Sequence, residues 1–367
     1  MNVGVLGAGQ LGRMLALAGA GLGMRFRFFD PNPESPVRDV GELIAADYSD
    51  ATALERFTDG LDVVTYEFES IPAAAVDAVA QRVRVFPSVQ ALKVSQDRVL
   101  EKRCFQHMSI RTAPSRDVAS RGDLDKAAHE IGLPAVLKTR RLGYDGKGQV
   151  VIRDENELAD AWEKLGGVPL ILEQFIEFDR ELSVIGARSR AGDIEFYPMV
   201  ENEHREGILS RSVAPAEVSE TKVRAARDYV RRIMSSFDYV GVLALEMFEA
   251  GDKLIANEIA PRVHNSGHWT IEGAETSQFE NHIRAVCGLE LGGTSAIGHS
   301  VMLNILGSAP DVARIEGMPG AHVHMYGKSP APRRKLGHVT VVGDGAGTAR
   351  DRATSVLRAI EAEGVPA

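Results

Sequence analysis

Apolar positions open the chain in the order strand, turn, helix. Val3 to Leu6 form a short buried run, Gly7, Gly9 and Gly12 follow as G-x-G-x-x-G, and Gln10 to Ala18 carry helical spacing. The pattern repeats with RFRFFD ending in Asp30, DVVTYEF, a helix from Pro72 to Val83, and VRVFP. This alternation predicts a doubly wound parallel sheet, short for a full dinucleotide domain. A helix over Ser95 to His107 leads out, and APS at 113–115 marks a boundary. Next, LDKAAHEIG, AVLKTR, a glycine loop, QVVIRD, ENELADAWEKLG and PLILEQFI predict a small α+β lid. From Glu181 strand patterns dominate, as in ELSVIGARS and EFYPMVENEH. One amphipathic helix over Thr221 to Phe237 places Val223, Ala226, Val230, Ile233 and Phe237 on a shared face. VGVLALEMFE and KLIANEIAP then read as a hairpin across AGD. The expected organisation is 1–95, 96–190 and 191–367.

Composition narrows the class. A chain of 367 residues that is 44% hydrophobic and 25% charged has room for two or three globular domains with proper cores. Its 42 basic and 51 acidic residues leave a net charge of -9, which argues against general binding to nucleic acid or an anionic membrane. An anionic ligand must be held by a local cluster. Cys104 and Cys287 stand far apart in no metal-ligand spacing. The apolar stretch from Val3 to Met24 carries seven glycines, Gln10 and Arg13 with no basic leader, so the expectation is a cytoplasmic protein and not a membrane segment.

Three features carry candidate chemistry. The opening glycine turn, with Asp30 after the second strand, fits a dinucleotide site as well as close helix packing. In KTRRLGYDGKGQV, Lys138 ends a strand, and Gly143, Gly146 and Gly148 bracket Tyr144, Asp145 and Lys147 in a loop able to fold N–H groups over phosphate oxygens. A flexible basic hairpin tip is the plainer alternative. Glu246 and Glu258 lie twelve residues apart on adjacent strands. With an odd connecting loop they share a face, where like charges are costly unless a cation such as Mg2+ lies between them. Asn257 would add an oxygen ligand. Two acids on a solvated strand face are the alternative.

In this order the motifs resemble the ATP-grasp superfamily over most of the chain. The resemblance implies ATP-grasp architecture, with an N-terminal Rossmann-like domain for the acceptor, a lid and a C-terminal domain, in a mixed α/β and α+β fold. It assigns Arg98 and Lys138 to phosphate contacts, Glu173, Gln174, Phe175 and Ile176 to a strand whose backbone reads adenine, and Glu181 to the ribose. Glu246 and Glu258 become the metal ligands, with Arg262 beyond them. Within the superfamily the chain is similar to the 5-(carboxyamino)imidazole ribonucleotide synthetases. That similarity rests on GAGQLGRM, TYEFE at 65–69, GYDGKGQ at 143–149, ENEHREGIL at 201–209, PRVHNSGHWT at 261–270, and YGK followed by RRKLGH.

The likeness implies a homodimeric enzyme that uses ATP and Mg2+ to join bicarbonate to the amine of 5-aminoimidazole ribonucleotide through carboxyphosphate. Arg262, Asp145 and Lys138 would serve the chemistry. Gly143, Tyr144, Asp145, Gly146, Lys147, Gly148, Gln149, His204, Asn257 and Glu258 would join Arg98 and the adenine strand around ATP. Gln10, Leu11, Glu67, Tyr144, Asp145, Asn265, Lys328, Arg334 and Lys335 would hold the acceptor. The cations of MYGKSPAPRRKLGH and the helix N-terminus after Gly9 would take its phosphate from opposite sides. The rival readings are another ATP-grasp ligase, such as formate-dependent glycinamide ribonucleotide transformylase, an NAD-dependent dehydrogenase resting on the opening turn, and a noncatalytic nucleotide sensor.

Overall fold

A computed structural model of the chain describes residues 1–143 and 146–362, and its strands fall into three sheets. The first contains β1 (Asn2–Leu6), β2 (Arg25–Asp30), β3 (Glu42–Ala45) and β4 (Val63–Tyr66), all parallel in the order β3-β2-β1-β4. Helices α1 (Gln10–Ala20), α2 (Ala51–Thr58) and α3 (Ala73–Ala80) connect them or follow them. β4 stands at one end of this order, yet it is buried along its whole length, as the apolar run VVTY predicts for a covered parallel strand. Two readings of this region change. GELIA supplies the edge strand β3, and VRVFP contributes only an isolated bridge between Val64 and Val85.

The helix expected over Ser95 to His107 is α5 (Arg98–His107), starting three residues later than expected, and a further helix the sequence reading did not mark, α4 (Val89–Ser95), precedes it. Asp97 separates them, its carboxylate accepting the N–H groups of Val99 and Leu100 and so starting α5 afresh. The second sheet is antiparallel, with β5 (Ser115–Val118), β6 (Ala135–Thr139), β7 (Gln149–Ile152) and β8 (Leu170–Gln174) in the order β5-β8-β6-β7. Helices α6 (Arg121–Ile131) and α7 (Leu158–Leu165) cover one face, packing Leu124 and Leu158 against Leu137 and Leu172.

The third sheet has nine strands: β9 (Arg180–Arg188), β10 (Ile194–Phe196), β11 (Val200–Arg205), β12 (Ile208–Ala214), β13 (Gly241–Ala250), β14 (Lys253–Ala260), β15 (His299–Leu306), β16 (Ala321–Met325) and β17 (Lys335–Gly343). They run β14-β13-β9-β11-β12-β15-β17-β16, with β10 beside β9. Helix α8 (Glu220–Ser236) lays the predicted apolar face on this sheet, burying Ala226, Val230 and Ile233 completely and Val223 and Phe237 in part. Beyond the short α9 (Thr270–Gly273), helix α10 (Gln278–Cys287) packs on α1 and β13. The last helices, α11 (Val312–Glu316) and α12 (Ala346–Glu361), pack against β15, β16 and β17.

Helix α10 also joins the first sheet to the third. Val242 N–H donates to His282 Nδ1 at 3.1 Å, so the ring's hydrogen sits on Nε2 and is donated to Thr65 Oγ1 at 2.8 Å. Burial holds the pKa of this imidazole down at about 3, so it is a neutral structural link.

Candidate active site

The opening glycine turn surrounds a protein carboxylate. Gly7 bends the chain at φ +94°, and Glu67 at the end of β4 accepts the N–H groups of Gly9 at 2.6 Å and Gly12 at 2.7 Å. A Cβ on Gly7 would stand 2.6 Å from Glu67 Cγ, and one on Gly9 2.7 Å from its Oε1. Asp30 is occupied likewise, accepting the Ala8 N–H at 3.1 Å. Helix N-termini favour anions, and here the anion is built in. The N–H groups of Gly9 and Gly12 are therefore already taken where a ligand phosphate was expected, while Gln10 and Leu11 line the cleft. Burial raises the Glu67 pKa against the pull of its two N–H donors. Replacing Glu67 with alanine strands both donors, and a loss of about 2–3 kcal/mol of stability is expected in urea unfolding.

Glu246 and Glu258 do face each other, by a different route from the one the sequence predicted. The β13–β14 turn has two residues, Gly251 and Asp252, an even number that alone would pair Glu246 with Asn257. A bulge between Glu246 and Met247 shifts the register by one, so Glu258 pairs with Glu246. An extra residue of this kind re-aims side chains next to functional clefts. Lys102 Nζ donates to Asn257 O at 2.8 Å, and Ile259 N–H donates to Glu101 at 2.7 Å, so α5 holds the bulged strand from behind. Burial, reinforced by Glu258, pushes Glu101 up to about 8.

Glu258 also accepts from Arg98 at 2.7 Å, and Arg98 reaches Gly143 O at 3.3 Å. Lys138 meets Glu173 at 3.0 Å, and Lys102 approaches the same carboxylate at 3.5 Å. Burial alone would raise Glu173, but Lys102, Lys138 and Arg98 outweigh it and hold it near 2. The Lys138 pKa falls, through burial first and its cationic neighbours second, despite Glu173. One carboxylate thus serves several cations in a desolvated place.

The β8 edge is only partly open to a base. Gln174 N–H donates to Pro114 O at 2.9 Å and Phe175 N–H to Pro134 O at 3.1 Å, leaving carbonyl oxygens and Ile176 for any further backbone contact. Glu181 bonds to His204 Nδ1, and both line a cavity of about 280 Å³. Burial opposes protonation of His204, but Glu181 outweighs it and raises the pKa. Gly146, Gly148 and Gln149 lead into β7. Gly148 has φ +71°, and a Cβ there would sit 2.7 Å from Thr139 Oγ1. Tyr144 and Asp145 lie outside the described residues.

A larger cavity of about 700 Å³ brings the remaining predicted residues together. Gly143, Lys147 and His204 line it with Glu246, Glu258 and Arg262, and its far end carries Gln10, Asn265, Lys328, Arg334 and Lys335. Lys328 bonds to Gln10, tying the β16–β17 connection to the start of α1. Asn265 exchanges two amide hydrogen bonds with Asn304, at 3.1 and 2.9 Å. Arg262 forms a two-pronged pair with Glu69, one arm at 2.8 Å.

His264, passed over in the sequence, donates to Glu246 at 2.9 Å. Burial would raise Glu246, yet the His264 hydrogen bond first and then His204 and Arg262 outweigh it and hold the carboxyl below the ordinary range. Glu69, His264 and Lys102 were the missed residues. The first two lie inside TYEFE and PRVHNSGHWT, and Lys102 falls one helical turn after Arg98.

A lid sheet over a large antiparallel sheet, with clustered cations and facing glutamates between them, defines an ATP-grasp protein. The family model for the ATP-grasp domain matches residues 103–279, that for the ribonucleotide synthetase preATP-grasp domain 1–96, and that for the phosphoribosylaminoimidazole carboxylase C-terminal domain 300–352. A Pseudomonas aeruginosa protein named N5-carboxyaminoimidazole ribonucleotide synthase is 51% identical over 363 residues, covering 99% of each chain. The crystal structure of N5-carboxyaminoimidazole ribonucleotide synthetase from Thermus thermophilus superposes with TM-score 0.94 at 50% identity, covering 97% of this chain and 98% of that one. An Aspergillus clavatus N5-carboxyaminoimidazole synthase in complex with ADP and 5-aminoimidazole ribonucleotide gives 0.91 at 31% identity over 98% of each. The chain belongs to the N5-carboxyaminoimidazole ribonucleotide synthase family. The dehydrogenase reading falls with this result, and the occupied glycine turn gives the physical reason.

Proposed function

We propose that this chain carries out ATP-dependent carboxylation of 5-aminoimidazole ribonucleotide with bicarbonate in purine biosynthesis, yielding N5-carboxyaminoimidazole ribonucleotide, ADP and phosphate, as a cytoplasmic homodimer. The family resemblance supports the homodimer, and among the described residues no helix is long and apolar enough to cross a membrane. The observation that carries the reading is one cleft lined by Glu246, Glu258 and Arg262 at its centre and by Lys328, Arg334 and Lys335 at its end. Bicarbonate is a poor electrophile. Transfer of the ATP γ-phosphoryl to one of its oxygens makes carboxyphosphate, whose carbon then accepts the acceptor amine as phosphate leaves.

Arg98 and Lys138 would stabilise charge on the transferring group, while the planar fork of Arg262 suits bicarbonate or carboxyphosphate. Asp145 would take the proton of the attacking amine. Gln10, Leu11 and Asn265 would border the acceptor, with Glu67 holding the glycine turn behind them. Glu181 and His204 would meet the ribose and phosphates of ATP, with Gln149 and the glycine loop above them.

Mg2+ fits the residues present. Glu246 and Glu258 face each other, and Asn257 Oδ1 is a buried oxygen without a hydrogen-bond partner among the described residues. No group of three or more metal-ligating His, Cys, Asp or Glu side chains occurs among those residues. Mg2+ needs no such group, since it takes one or two carboxylates and completes its shell with phosphates and water. When bound, it would neutralise charge on the ATP phosphates.

Bicarbonate labelled with 18O tests the route: one labelled oxygen should appear in the released phosphate. Unlabelled phosphate would contradict it. At the acceptor end, Lys335→Ala and Arg334→Ala are expected to raise the Michaelis constant for 5-aminoimidazole ribonucleotide roughly tenfold or more, with little change for ATP, since each removes a charged phosphate contact. Steady-state kinetics with each substrate varied in turn checks this. Equal rises for both substrates would remove the segment from the acceptor site.

A further inference from the structure

Behind His264 a buried file of hydroxyls and one amide crosses the large sheet. Ser183 stands directly opposite Glu246 in the β9–β13 ladder, and Ser212 directly opposite Asn202 in the β11–β12 ladder. Ser183 is also in register with Val200, two residues before Asn202. Alternate strand residues share a face, so Glu246, Ser183, Asn202 and Ser212 all project from the same side.

They bond in series. Ser212 Oγ donates to Asn202 Oδ1 at 2.8 Å, and Asn202 Nδ2 donates to Ser183 Oγ at 2.9 Å. Ser183 Oγ lies 2.8 Å from Ser266 Oγ, which lies 2.9 Å from His264 Nδ1. His264 Nε2 then reaches Glu246 Oε1 at 2.9 Å. All three serines are fully or almost fully buried, so water cannot stand in for a missing member.

Two obligatory donors set the direction of this file. Asn202 Nδ2 can only donate, so Ser183 accepts there and passes its own hydrogen to Ser266. The backbone N–H of Ser266, also a donor only, points at His264 Nδ1 at 3.3 Å. Nδ1 is thus an acceptor from two sides, and the ring carries its hydrogen on Nε2, facing Glu246. The loop bearing the ring is clamped as well: Gln278 accepts the His264 N–H at 2.9 Å and donates to its carbonyl at 2.6 Å.

We propose that Ser183, Asn202, Ser212 and Ser266 are positioning residues, which hold His264 in its Nε2–H form and through it fix the Glu246 carboxylate at the cleft. The importance for catalysis rests on the reading of the cleft given above; the ring's tautomer does not. Outer hydrogen-bond partners of this kind commonly change activity by ten- to a hundredfold when removed.

Asn202→Asp is nearly isosteric but cannot donate when ionised, so it reverses the file. Ser183 must then donate toward Asp, Ser266 toward Ser183, and His264 Nδ1 toward Ser266. The measurement is nitrogen NMR of 15N-histidine-labelled full-length protein, with the His264 signals assigned by their loss in His264→Asn. The wild type is expected to show unprotonated Nδ1 and protonated Nε2. Asn202→Asp should show a protonated Nδ1 and about a tenfold lower kcat, with the Michaelis constant for the acceptor little changed.

Ser212→Ala keeps the test open should Asn202→Asp fail to fold. It frees the amide to turn over, and a mixed His264 population is expected. A wild-type ring protonated at Nδ1, or a lower kcat with an unaltered ring, would overturn the proposal. Full loss of ligase activity together with the expected ring states would instead count against the functional reading alone.

Discussion

Replacing Glu258 with glutamine is expected to cut ATP turnover by roughly a hundred- to a thousandfold while leaving the fold intact. The amide oxygen of glutamine can still accept from Arg98, which now donates to Glu258 at 2.7 Å, so the side-chain geometry survives. What disappears is one of two negative charges facing each other across β13 and β14. A metal ion contributes several kcal/mol of transition-state charge stabilisation, and weakening its attachment forfeits much of that. The half-saturating Mg2+ concentration should rise together with the fall in kcat, and calorimetry should show weaker Mg2+·ATP binding without turnover. Turnover within about twofold of wild type at saturating Mg2+ would remove Glu258 from the metal site.

Arg262→Ala should act on both chemistry and stability. The guanidinium is partly buried and pairs through two arms with Glu69, 193 residues earlier in the chain. Removing it strands a carboxylate in a cleft wall, and breaking such a pair costs about 3–5 kcal/mol when the remaining charge stays desolvated. Glu69 retains some exposure, so the low end of that range is expected. On the chemical side, loss of the planar fork should raise the bicarbonate requirement at least tenfold.

A pH dependence follows from the same pair. Burial would raise Glu69, but Arg262 outweighs it and holds the pKa below the ordinary carboxylate value. A depressed folded-state pKa contributes stability that is present above the unfolded value and is lost as pH falls through the folded one. The wild type should therefore lose this contribution as the solution is acidified below about pH 4, the ordinary range for glutamate, whereas Arg262→Ala should show a flatter stability curve there. Urea unfolding across that range reads both. Parallel curves for the two proteins would deny the pair its role.

Local patterns in the sequence marked the buried parallel strands and the apolar face of α8, because those signals reside within one element. The edge strand β3 escaped because GELIA is short and mostly unburied, without clean alternation. The break at Asp97 turns on a capping carboxylate inside an otherwise continuous helical pattern. The candidate site was legible as a set of ordered motifs, but its couplings were not. Glu67 reaches the glycine turn from 58 residues away, and only the folded β4 beside β1 brings it there. The bulge opposite Met247 is a matter of register, which no residue type in ANEIA announces.

The most direct test of the account measures initial rates of ADP release by the purified full-length chain with Mg2+·ATP across a matrix of acceptors. These are 5-aminoimidazole ribonucleotide with and without bicarbonate, glycinamide ribonucleotide with formate, and no acceptor. Rapid ADP release that requires both 5-aminoimidazole ribonucleotide and bicarbonate is the predicted result. ADP release that is equally fast without bicarbonate, or that is supported by glycinamide ribonucleotide and formate instead, would contradict it.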